Sequence, residues 1–206
     1  KEKNLYVFIS KSFSTEEVLL SHSWLPKSIV KKNLFAITAN KSKAIELGFI
    51  DQNIIGFPES VGGRYSIWSQ VNSPVLLPKE CRNFLKGAAN IDKNLQKKST
   101  VKSALKNIVF NDIWSHNFMD KKNRVILSYN WKLRSITNYL QQLEMESLGK
   151  PNNPESIFGY TGQTIYGGFG PTAQHSYFQL LHQGTSETSA DLIASRSSHS
   201  ALLNSQ

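Results

Sequence analysis

The chain has 206 residues, a formal net charge of +9 and a sequence pI of about 9.6. It is 39% hydrophobic and 11% aromatic, which is typical of a globular protein with a packed core and excludes a disordered or collagen-like chain. No apolar run approaches the roughly 20 residues of a membrane-spanning helix, and the first residues lack the pattern of a secretory signal. The single Cys81 excludes an internal disulfide and suits a reducing compartment.

The positive charge raises the question of nucleic acid, but its distribution does not support that class. The lysines occur in separate short groups such as "KSIVKK" and "DKKNR", with no basic tract that alternates with aromatic residues. Charge of this kind also suits anionic small substrates and solubility. We therefore expect neither nucleic acid nor a membrane as a partner.

The first third of the chain alternates between strand and helix patterns. Short apolar, β-rich runs at 5–10 ("LYVFIS") and 33–40 ("NLFAITAN") predict buried parallel strands. Between them, "STEEVLLSHSWL" predicts a helix that Ser14 or Thr15 can cap. "KSKAIELGFI" predicts a second helix that ends at Gly48. This alternation is typical of the α/β class.

The pattern turns helical from about Pro78 to Phe118, where two segments carry apolar residues three and four apart. A strand at 124–130, a helix at 132–150, a strand in "QTIYGGFG" and an amphipathic helix at 173–184 follow. The last stretch is serine-rich but holds two apolar islands, so we do not predict disorder there. The sequence therefore predicts two α/β units joined by a helical segment.

A hydroxyl-rich segment, "SKSFST" at 10–15, lies between a predicted strand and a predicted helix. The hydroxyls of Ser10, Ser12 and Thr15, together with the N–H groups of a helix N-terminus, are suited to holding an anion. The same residues are equally typical of a capping box that only satisfies helix donors. The local pattern leaves both interpretations open.

A glycine pair precedes an arginine in "SVGGRYSIWS" at 60–69. Gly62 and Gly63 permit a tight turn or a close approach to the main chain. Arg64 behind them could reach an anionic group or a developing oxyanion. The alternative is a solvated arginine after an ordinary turn.

Two further patterns carry titratable groups at helical spacing. Gln142, Glu146 and Lys150 are four residues apart and share one helix face, although a Glu–Lys pair of this spacing is usually a surface ion pair. His175 and His182 are seven apart, but no cysteine or carboxylate pattern nearby completes a metal site. A histidine on a helix is most often structural, and becomes an acid–base group only beside a substrate.

Taken in order, these segments resemble one known family. "VGGRYSIWS", "YLQQLEMESLGK" and "AQHSYFQLLHQGT" resemble the three internal signatures of the glucose-6-phosphate isomerase family, and "ISKSFSTEE" is similar to its phosphate-binding "SKTFTT" segment. The resemblance implies sugar-isomerase (SIS-type) α/β domains with parallel sheets flanked by helices. It implies the later part of a first domain at 1–75, a helical connection at 76–118 and the earlier part of a second domain at 119–206. We therefore expect an internal fragment of a longer enzyme.

The same resemblance implies an activity and a role for each matching residue. The activity is interconversion of glucose 6-phosphate and fructose 6-phosphate through a cis-enediolate, without metal or cofactor, by a cytoplasmic homodimer in glycolysis and gluconeogenesis. Ser10, Lys11, Ser12 and Thr15 match phosphate-binding positions, and Gly63 and Gln142 match substrate contacts. Glu146 matches the catalytic base, Arg64 the enediolate-stabilising arginine, His175 the ring-opening histidine that serves the partner subunit, and Glu17 a glutamate that polarises this histidine.

Several positions depart from the family pattern. Leu148 replaces an asparagine, Gln70 replaces a small residue, and "GGFGPTAQH" and "LSYN" replace "GEPGTNGQH" and "LPYD". The family's ring-opening lysine and a further phosphate-site serine fall outside residues 1–206. We therefore expect these residues alone to have little or no isomerase activity. The alternative function is a sugar-phosphate-binding module without turnover.

Overall fold

The computed structural model describes residues 4–26, 28–29, 31–76 and 78–195. The chain divides into two compact units, of which unit 1 ends at Lys93 and unit 2 begins at Asn94. Within the described residues each unit has a parallel sheet of three strands, so the predicted α/β class is confirmed. None of the helices in these ranges is both long and apolar enough to cross a lipid bilayer.

Unit 1 is built on a sheet of strand order β1-β2-β3. Its elements are β1 (Tyr6–Ile9), α1 (Glu16–Ser23), β2 (Leu34–Thr38), α2 (Lys41–Glu46) and β3 (Ile54–Gly56), followed by a 3₁₀ segment (Gly63–Trp68). The next helix, α3 (Pro78–Leu95), belongs to unit 1 except for its last two residues. α2 is capped by Asn40, whose side chain accepts from the Lys43 N–H at 3.1 Å. It ends before Gly48, which has a φ of +92°. The predicted helix end is confirmed, because glycine adopts this left-handed conformation without strain.

The core of unit 1 holds the connection between β1 and α1 in place. Phe13, from the middle of that connection, is fully buried and packs edge-to-face on Phe49 with ring centroids 5.4 Å apart. Leu34 and Ala36 of β2 and Ala44 of α2 complete the cluster. Truncation of a buried aromatic side chain of this size costs several kcal/mol, roughly 3–5. Because Phe13 lies within the hydroxyl-rich segment, its burial fixes the position of the residues before and after it.

Unit 2 is built on a sheet of strand order β5-β4-β6, in which β4 is the central strand. Its elements are α4 (Thr100–Asn117), β4 (Asn123–Ser128), α5 (Ile136–Leu140), a π segment (Gln141–Met145), α6 (Glu146–Leu148), β5 (Thr164–Phe169), α7 (Gly170–Ala173), α8 (Phe178–Gln183) and β6 (Thr188–Ile193). Asn123 lies opposite Thr164 on one neighbour and Thr188 on the other. Residues 124–128 are all buried, as a central parallel strand requires.

The helices of unit 2 lie on opposite faces of this sheet. Val125 and Leu127 of β4 pack with Ala173 of α7 and with residues of α8. Arg124 instead reaches Asp112 of α4 and Glu144 of the π segment. Because successive strand residues point to opposite faces, α4 and the helical stretch 136–148 cover one face, and α7 and α8 cover the other.

Two predicted helices differ from those observed. The predicted helix 132–150 begins as α-helix only at Ile136 and contains the π segment. The predicted helix 173–184 is interrupted by a turn at 174–177, where His175 N–H and Ser176 N–H donate to carbonyls three residues earlier. Such i→i−3 bonds tighten the chain and end α7, so the amphipathic pattern spans two short helices.

Two strands were not predicted. β3 is only three residues long, too short to show a periodicity, and β6 lies in the serine-rich stretch. The second apolar island of that stretch, at 201–203, lies outside the described residues.

We predict that Gly167→Ala destabilises unit 2. Gly167 has a φ of +139°, and a Cβ there would overlap the backbone of Ile126 on the paired strand. The expected loss is about 2 kcal/mol or more, which corresponds to a fall in Tm of roughly 10 °C in thermal unfolding followed by circular dichroism. Gly159→Ala is the control, because a Cβ at Gly159 meets nothing within 4 Å. Equal Tm values for the two variants would contradict the prediction.

Candidate functional site

The hydroxyl-rich segment follows the carboxyl end of β1, the edge at which parallel α/β sheets bind ligands. The Ser10 hydroxyl accepts from the Phe13 N–H at 3.1 Å and lies 3.4 Å from the Thr15 hydroxyl. The Ser12 hydroxyl accepts from the Ser14 N–H at 3.2 Å and from the Ser14 hydroxyl at 2.7 Å. The segment is thus a compact loop whose polar side chains are ordered by its own backbone.

Backbone contacts to β2 fix this loop against the sheet. The Ser10 N–H donates to the Ile37 carbonyl at 3.1 Å. The Lys11 carbonyl accepts both the Thr38 hydroxyl at 3.0 Å and the Ala39 N–H at 3.1 Å. Ser10 is buried, whereas Lys11 is exposed. The loop therefore has a fixed base and an accessible outer rim.

The Thr15 side chain does not take part in a capping box. Thr15 is the N-cap residue of α1, but its side chain makes no capping hydrogen bond. Ser12 and Thr15 are both exposed, so their hydroxyls lie at the accessible N-terminus of the helix. A helix N-terminus with nearby hydroxyls and a lysine is suited to an anion. Glu17 lies in the first turn of α1 and is also exposed.

Arg64 is the second residue of the 3₁₀ segment that starts after Gly62. Its guanidinium carbon lies 5.0 Å from the ring centre of Tyr65, within range of a cation–π interaction. A Cβ on Gly62 would lie 3.3 Å from the Tyr65 ring, whereas a Cβ on Gly63 would meet nothing within 4 Å. Neither glycine has a left-handed φ, so the backbone conformation does not require glycine at either position. The notable feature is the open space beside Gly63.

Glu146 opens α6, directly after the π segment that contains Gln142. Both side chains are exposed. The Glu146 N–H donates to the Gln142 carbonyl, so the two positions are neighbours on consecutive turns. Lys150 donates its Nζ to the backbone carbonyl of Glu146 at 3.0 Å.

His175 lies in the turn between α7 and α8 and is exposed. The helical stretch that contains Glu146 packs on one face of the sheet, whereas the turn that contains His175 joins two helices on the other face. The turn also separates His175 from His182 of α8, which packs edge-on against Phe178 at 5.9 Å, so the two histidines do not share one continuous helix. Within the described ranges no group of three or more His, Cys, Asp or Glu side chains is arranged to hold a metal ion.

The predicted residues divide between the two units. Ser10, Lys11, Ser12, Thr15, Glu17, Gly63 and Arg64 lie in unit 1, and Gln142, Glu146 and His175 lie in unit 2. Within unit 1 the structure brings the four loop residues together around the start of α1. Within unit 2 it places Gln142 and Glu146 on consecutive turns of one helical stretch, and His175 in the turn between α7 and α8.

Sequence analysis missed a buried ionic cluster around Arg124. The Arg124 Nε donates to Asp191 of β6 at 2.7 Å, and one terminal nitrogen lies 3.1 Å from both Asp112 and Glu144. Burial raises the pKa of the Asp112 and Glu144 carboxyls, and Arg124 offsets part of this effect. The sequence did contain one signal for this cluster. Arg124 is a charged residue inside the apolar run "NRVILS", and a buried charge requires a partner of opposite charge.

A cavity of about 390 Å³ lies next to this cluster. Its apolar walls include Val109, Ile113, Leu148 and Phe158. His116 also lines it; its Nδ1 lies 3.4 Å from the Lys121 carbonyl, and its buried Nε2 has no hydrogen-bond partner among the described residues. None of the predicted site residues lines this cavity.

Comparison with known proteins identifies the class and then the family. A crystal structure of a glucose-6-phosphate isomerase from Chlamydia trachomatis superposes with a TM-score of 0.73 and 28% identity over 91% of this chain and 38% of that chain. A hypothetical protein from Thermus thermophilus gives 0.72 at 24% identity, over 93% of this chain and 48% of that one, and shows the fold alone. The chain is thus a parallel α/β protein of the sugar-isomerase type.

The family follows from the sequence comparisons. The family model for phosphoglucose isomerase matches residues 1–206. Curated glucose-6-phosphate isomerases of Shewanella amazonensis and Shewanella loihica are 35% and 37% identical over 98% of this chain, which spans 39% of their length. That of Acinetobacter baylyi is 35% identical over 94% of this chain and 37% of its own length. The chain belongs to the phosphoglucose isomerase family.

We predict that Glu144→Gln changes how stability depends on pH. The folded pKa of Glu144 lies above its ordinary value of 4.5, so the unfolded chain releases this proton first as pH rises. The contribution of Glu144 to stability is therefore fully present below pH 4.5 and is lost as pH rises through the folded pKa. Urea unfolding from pH 4 to about 8 should show the variant gaining stability relative to wild type as pH increases.

Glu155→Gln serves as the control for this series, because it removes an exposed carboxylate of unit 2 outside the cluster. Subtracting the stability change of Glu155→Gln from that of Glu144→Gln corrects for the loss of one negative charge. A stability difference between wild type and Glu144→Gln that does not vary with pH would contradict the raised pKa.

Proposed function

We propose that this chain forms the central part of a glucose-6-phosphate isomerase that interconverts glucose 6-phosphate and fructose 6-phosphate. The observation that carries the proposal is the match of the whole chain to the phosphoglucose isomerase family, together with accessible residues at the matching motif positions. In this proposal residues 1–75 are the later part of a first sugar-isomerase domain, 76–118 connect, and 119–206 begin a second domain.

The loop after β1 is proposed to bind the sugar phosphate. Ser12 and Thr15 present exposed hydroxyls at the N-terminus of α1, and Lys11 adds a positive charge beside them. Ser10 is the buried base of the loop. Phosphate binding distant from the reacting carbons supplies energy that holds the sugar in one orientation.

Isomerisation requires a proton to move from C2 to C1, or the reverse, through an enediolate. Glu146 is proposed to take the proton from one carbon and return it to the other, with Gln142 contacting the sugar. Arg64 stabilises the negative charge that the enediolate oxygen acquires, and the open space beside Gly63 lets the substrate approach. The scheme uses a carboxylate and a fixed cation, so it assigns no role to a metal or an organic cofactor.

His175 is proposed to open the sugar ring in the site of a neighbouring subunit, with Glu17 polarising the imidazole. The support is the arrangement of unit 2, which carries Glu146 and His175 on opposite faces of one sheet. A homodimer brings one subunit's His175 to another subunit's Glu146. We further propose that the enzyme is cytoplasmic and acts in glycolysis and gluconeogenesis; the family name supports the link to glycolysis.

We predict that Thr15→Val weakens phosphate binding without destabilising α1. Loss of a capping side chain usually costs about 1 kcal/mol, but the Thr15 side chain makes no capping bond. NMR titration of residues 1–206 with fructose 6-phosphate should show weaker binding by Thr15→Val at an unchanged Tm, and no binding of fructose by either protein.

Ser21→Ala is the matched control for this titration. The Ser21 hydroxyl also lies on α1, but it donates to the Glu17 carbonyl and is not part of the loop. Equal affinity of Thr15→Val and Ser21→Ala would contradict the assignment of the loop.

We predict that Glu146→Gln abolishes turnover while leaving substrate binding intact. The test uses a full-length chimera: the Shewanella amazonensis isomerase with its matching segment replaced by residues 1–206. Loss of a general base lowers the rate by about 10²–10⁴-fold, whereas the neutral amide keeps the shape of the side chain. Glu155→Gln, on the surface of the same unit, should retain wild-type turnover in a coupled assay of fructose 6-phosphate conversion.

Two results would count against the proposed function. A chimera that binds fructose 6-phosphate but does not turn it over would favour the alternative, a binding module without catalysis. A Glu146→Gln variant that loses binding and rate together would remove Glu146 from the role of base.

A further inference from the structure

The helical stretch that carries Glu146 is not a regular α-helix. α5 ends at Leu140, residues 141–145 form a π segment, and α6 begins at Glu146 itself. A π segment closes with i→i+5 hydrogen bonds and so accommodates more residues per turn than an α-helix does. Such segments are rare in proteins and occur frequently at functional sites. The position of this one immediately before Glu146 is therefore informative.

The π segment changes the direction in which Glu146 leaves the helix. In an α-helix each residue turns by about 100°, so residues five apart point about 140° away from each other. Across a π turn, residues five apart become neighbours on the same side. Gln141 and Glu146 are five apart, and the Glu146 N–H donates to the Gln142 carbonyl. Glu146 therefore lies one turn after Gln142, with the π turn bringing it toward the side of Gln141.

Two side chains fix the rotation of this helix against the sheet. The Thr137 hydroxyl donates to the Ile126 carbonyl of β4 at 3.0 Å. The Gln141 Nε2 donates to the Ile165 carbonyl of β5 at 2.8 Å. The two bonds reach different strands from positions one turn apart, so together they resist rotation and sliding of the helix. Gln141 is the one that also starts the π segment.

Glu144 anchors the other end of the π segment. It pairs with Arg124, whose position is fixed by burial and by its contacts with Asp191 and Asp112. Downstream, the Ser147 hydroxyl donates to the Leu143 carbonyl. Together with Gln141, these contacts hold the π segment at both ends.

The helix ends three residues after Glu146. Gly149 N–H donates to the Met145 carbonyl at 2.8 Å, and a Cβ at Gly149 would overlap that carbonyl oxygen. Only glycine therefore allows this short closure without a shift of the backbone. Glu146 is thus confined between an anchored π turn and a glycine stop.

We propose that Gln141 and Glu144 are positioning residues: through their bonds to the Ile165 carbonyl and to Arg124 they hold the π turn that aims the Glu146 carboxylate. This inference rests on the proposed role of Glu146 as the base. Removing either anchor lets the segment relax toward regular α-helical geometry, which rotates Glu146 away from the proton that it transfers. Misplacement by about 1 Å can cost on the order of 10²-fold in rate.

The first test measures the helix without reference to catalysis. In residues 1–206, Gln141→Leu should speed amide hydrogen exchange at residues 145–149 by about tenfold or more, while exchange in β4 and β6 stays unchanged. Gln163→Leu is the matched control, since Gln163 also donates its Nε2 to a backbone carbonyl, that of Lys121, at 2.7 Å. Equal exchange at 145–149 in both variants would overturn the proposal.

The second test measures catalysis in the full-length chimera. Gln141→Leu and Glu144→Gln should each lower kcat by about 10–100-fold with KM changed less than about threefold. The primary deuterium isotope effect on kcat with 2-deuterated glucose 6-phosphate should rise in both, because proton transfer becomes slower relative to binding and release. Gln163→Leu should leave both quantities at wild-type values despite a comparable change in Tm.

The two proposals fail in different ways. An unmutated chimera without turnover refutes the proposed function, and the exchange experiment still decides whether Gln141 holds the π turn. An active chimera in which Gln141→Leu and Gln163→Leu behave alike refutes the positioning role and leaves the function standing. If Gln141→Leu does not fold, the hydrogen-exchange and kinetic measurements are made on Glu144→Gln, and their results decide whether the positioning role holds.

Discussion

A buried guanidinium connects four elements of unit 2. Arg124 lies near the start of the central strand and bonds to carboxylates from α4, from the π segment and from β6. Removing the cation from a buried ionic group typically costs about 3–5 kcal/mol, because the carboxylates are left without compensation. One cation facing three carboxylates restricts how these elements can pack. The helix that carries Glu146 is therefore attached to the sheet by electrostatics as well as by apolar contacts.

Unit 1 relies on a different constraint, the buried Phe13. This residue has a φ of +52°, which is uncommon for a side chain of its size and costs of order 1–3 kcal/mol. Complete burial against Phe49 and the β2 residues compensates for that cost. The result is a turn with Ser12 and Thr15 on its exposed rim, close to the first turn of α1. The shape of the loop thus depends on an apolar residue between the hydroxyls.

Much of the fold was predictable because its strands and longer helices have strong patterns. The runs that became β1, β2, β4 and β5 were found within one or two residues, and the two helical segments predicted between about Pro78 and Phe118 correspond to α3 and α4. β1 is nonetheless less buried than predicted, since Val7 and Ile9 on one of its faces are 40% and 41% exposed. The π segment could not be predicted, because an α-helix and a π turn share nearly the same apolar spacing over so few residues.

The site was less predictable from local chemistry than the fold was. Hydroxyls near a helix start allow both capping and anion binding, and the sequence does not show that the Thr15 side chain makes no capping bond. Arg64 and Glu146 stand out through resemblance to a family, not through spacing. Arg124 carried a physical signal, an unmatched charge in a buried strand, but its partners lie 12, 20 and 67 residues away in the chain. Long-range pairing of this kind depends on topology, which no local pattern encodes.

The topology of unit 2 also determines how its chemistry can be shared. A central strand presents alternate residues to two faces, and here each face carries one of the two candidate proton-transfer groups. The helical stretch that contains Glu146 packs on one face, and the turn that contains His175 joins two helices on the other face. In the proposed isomerase, this arrangement is compatible with a site to which two copies of the chain contribute.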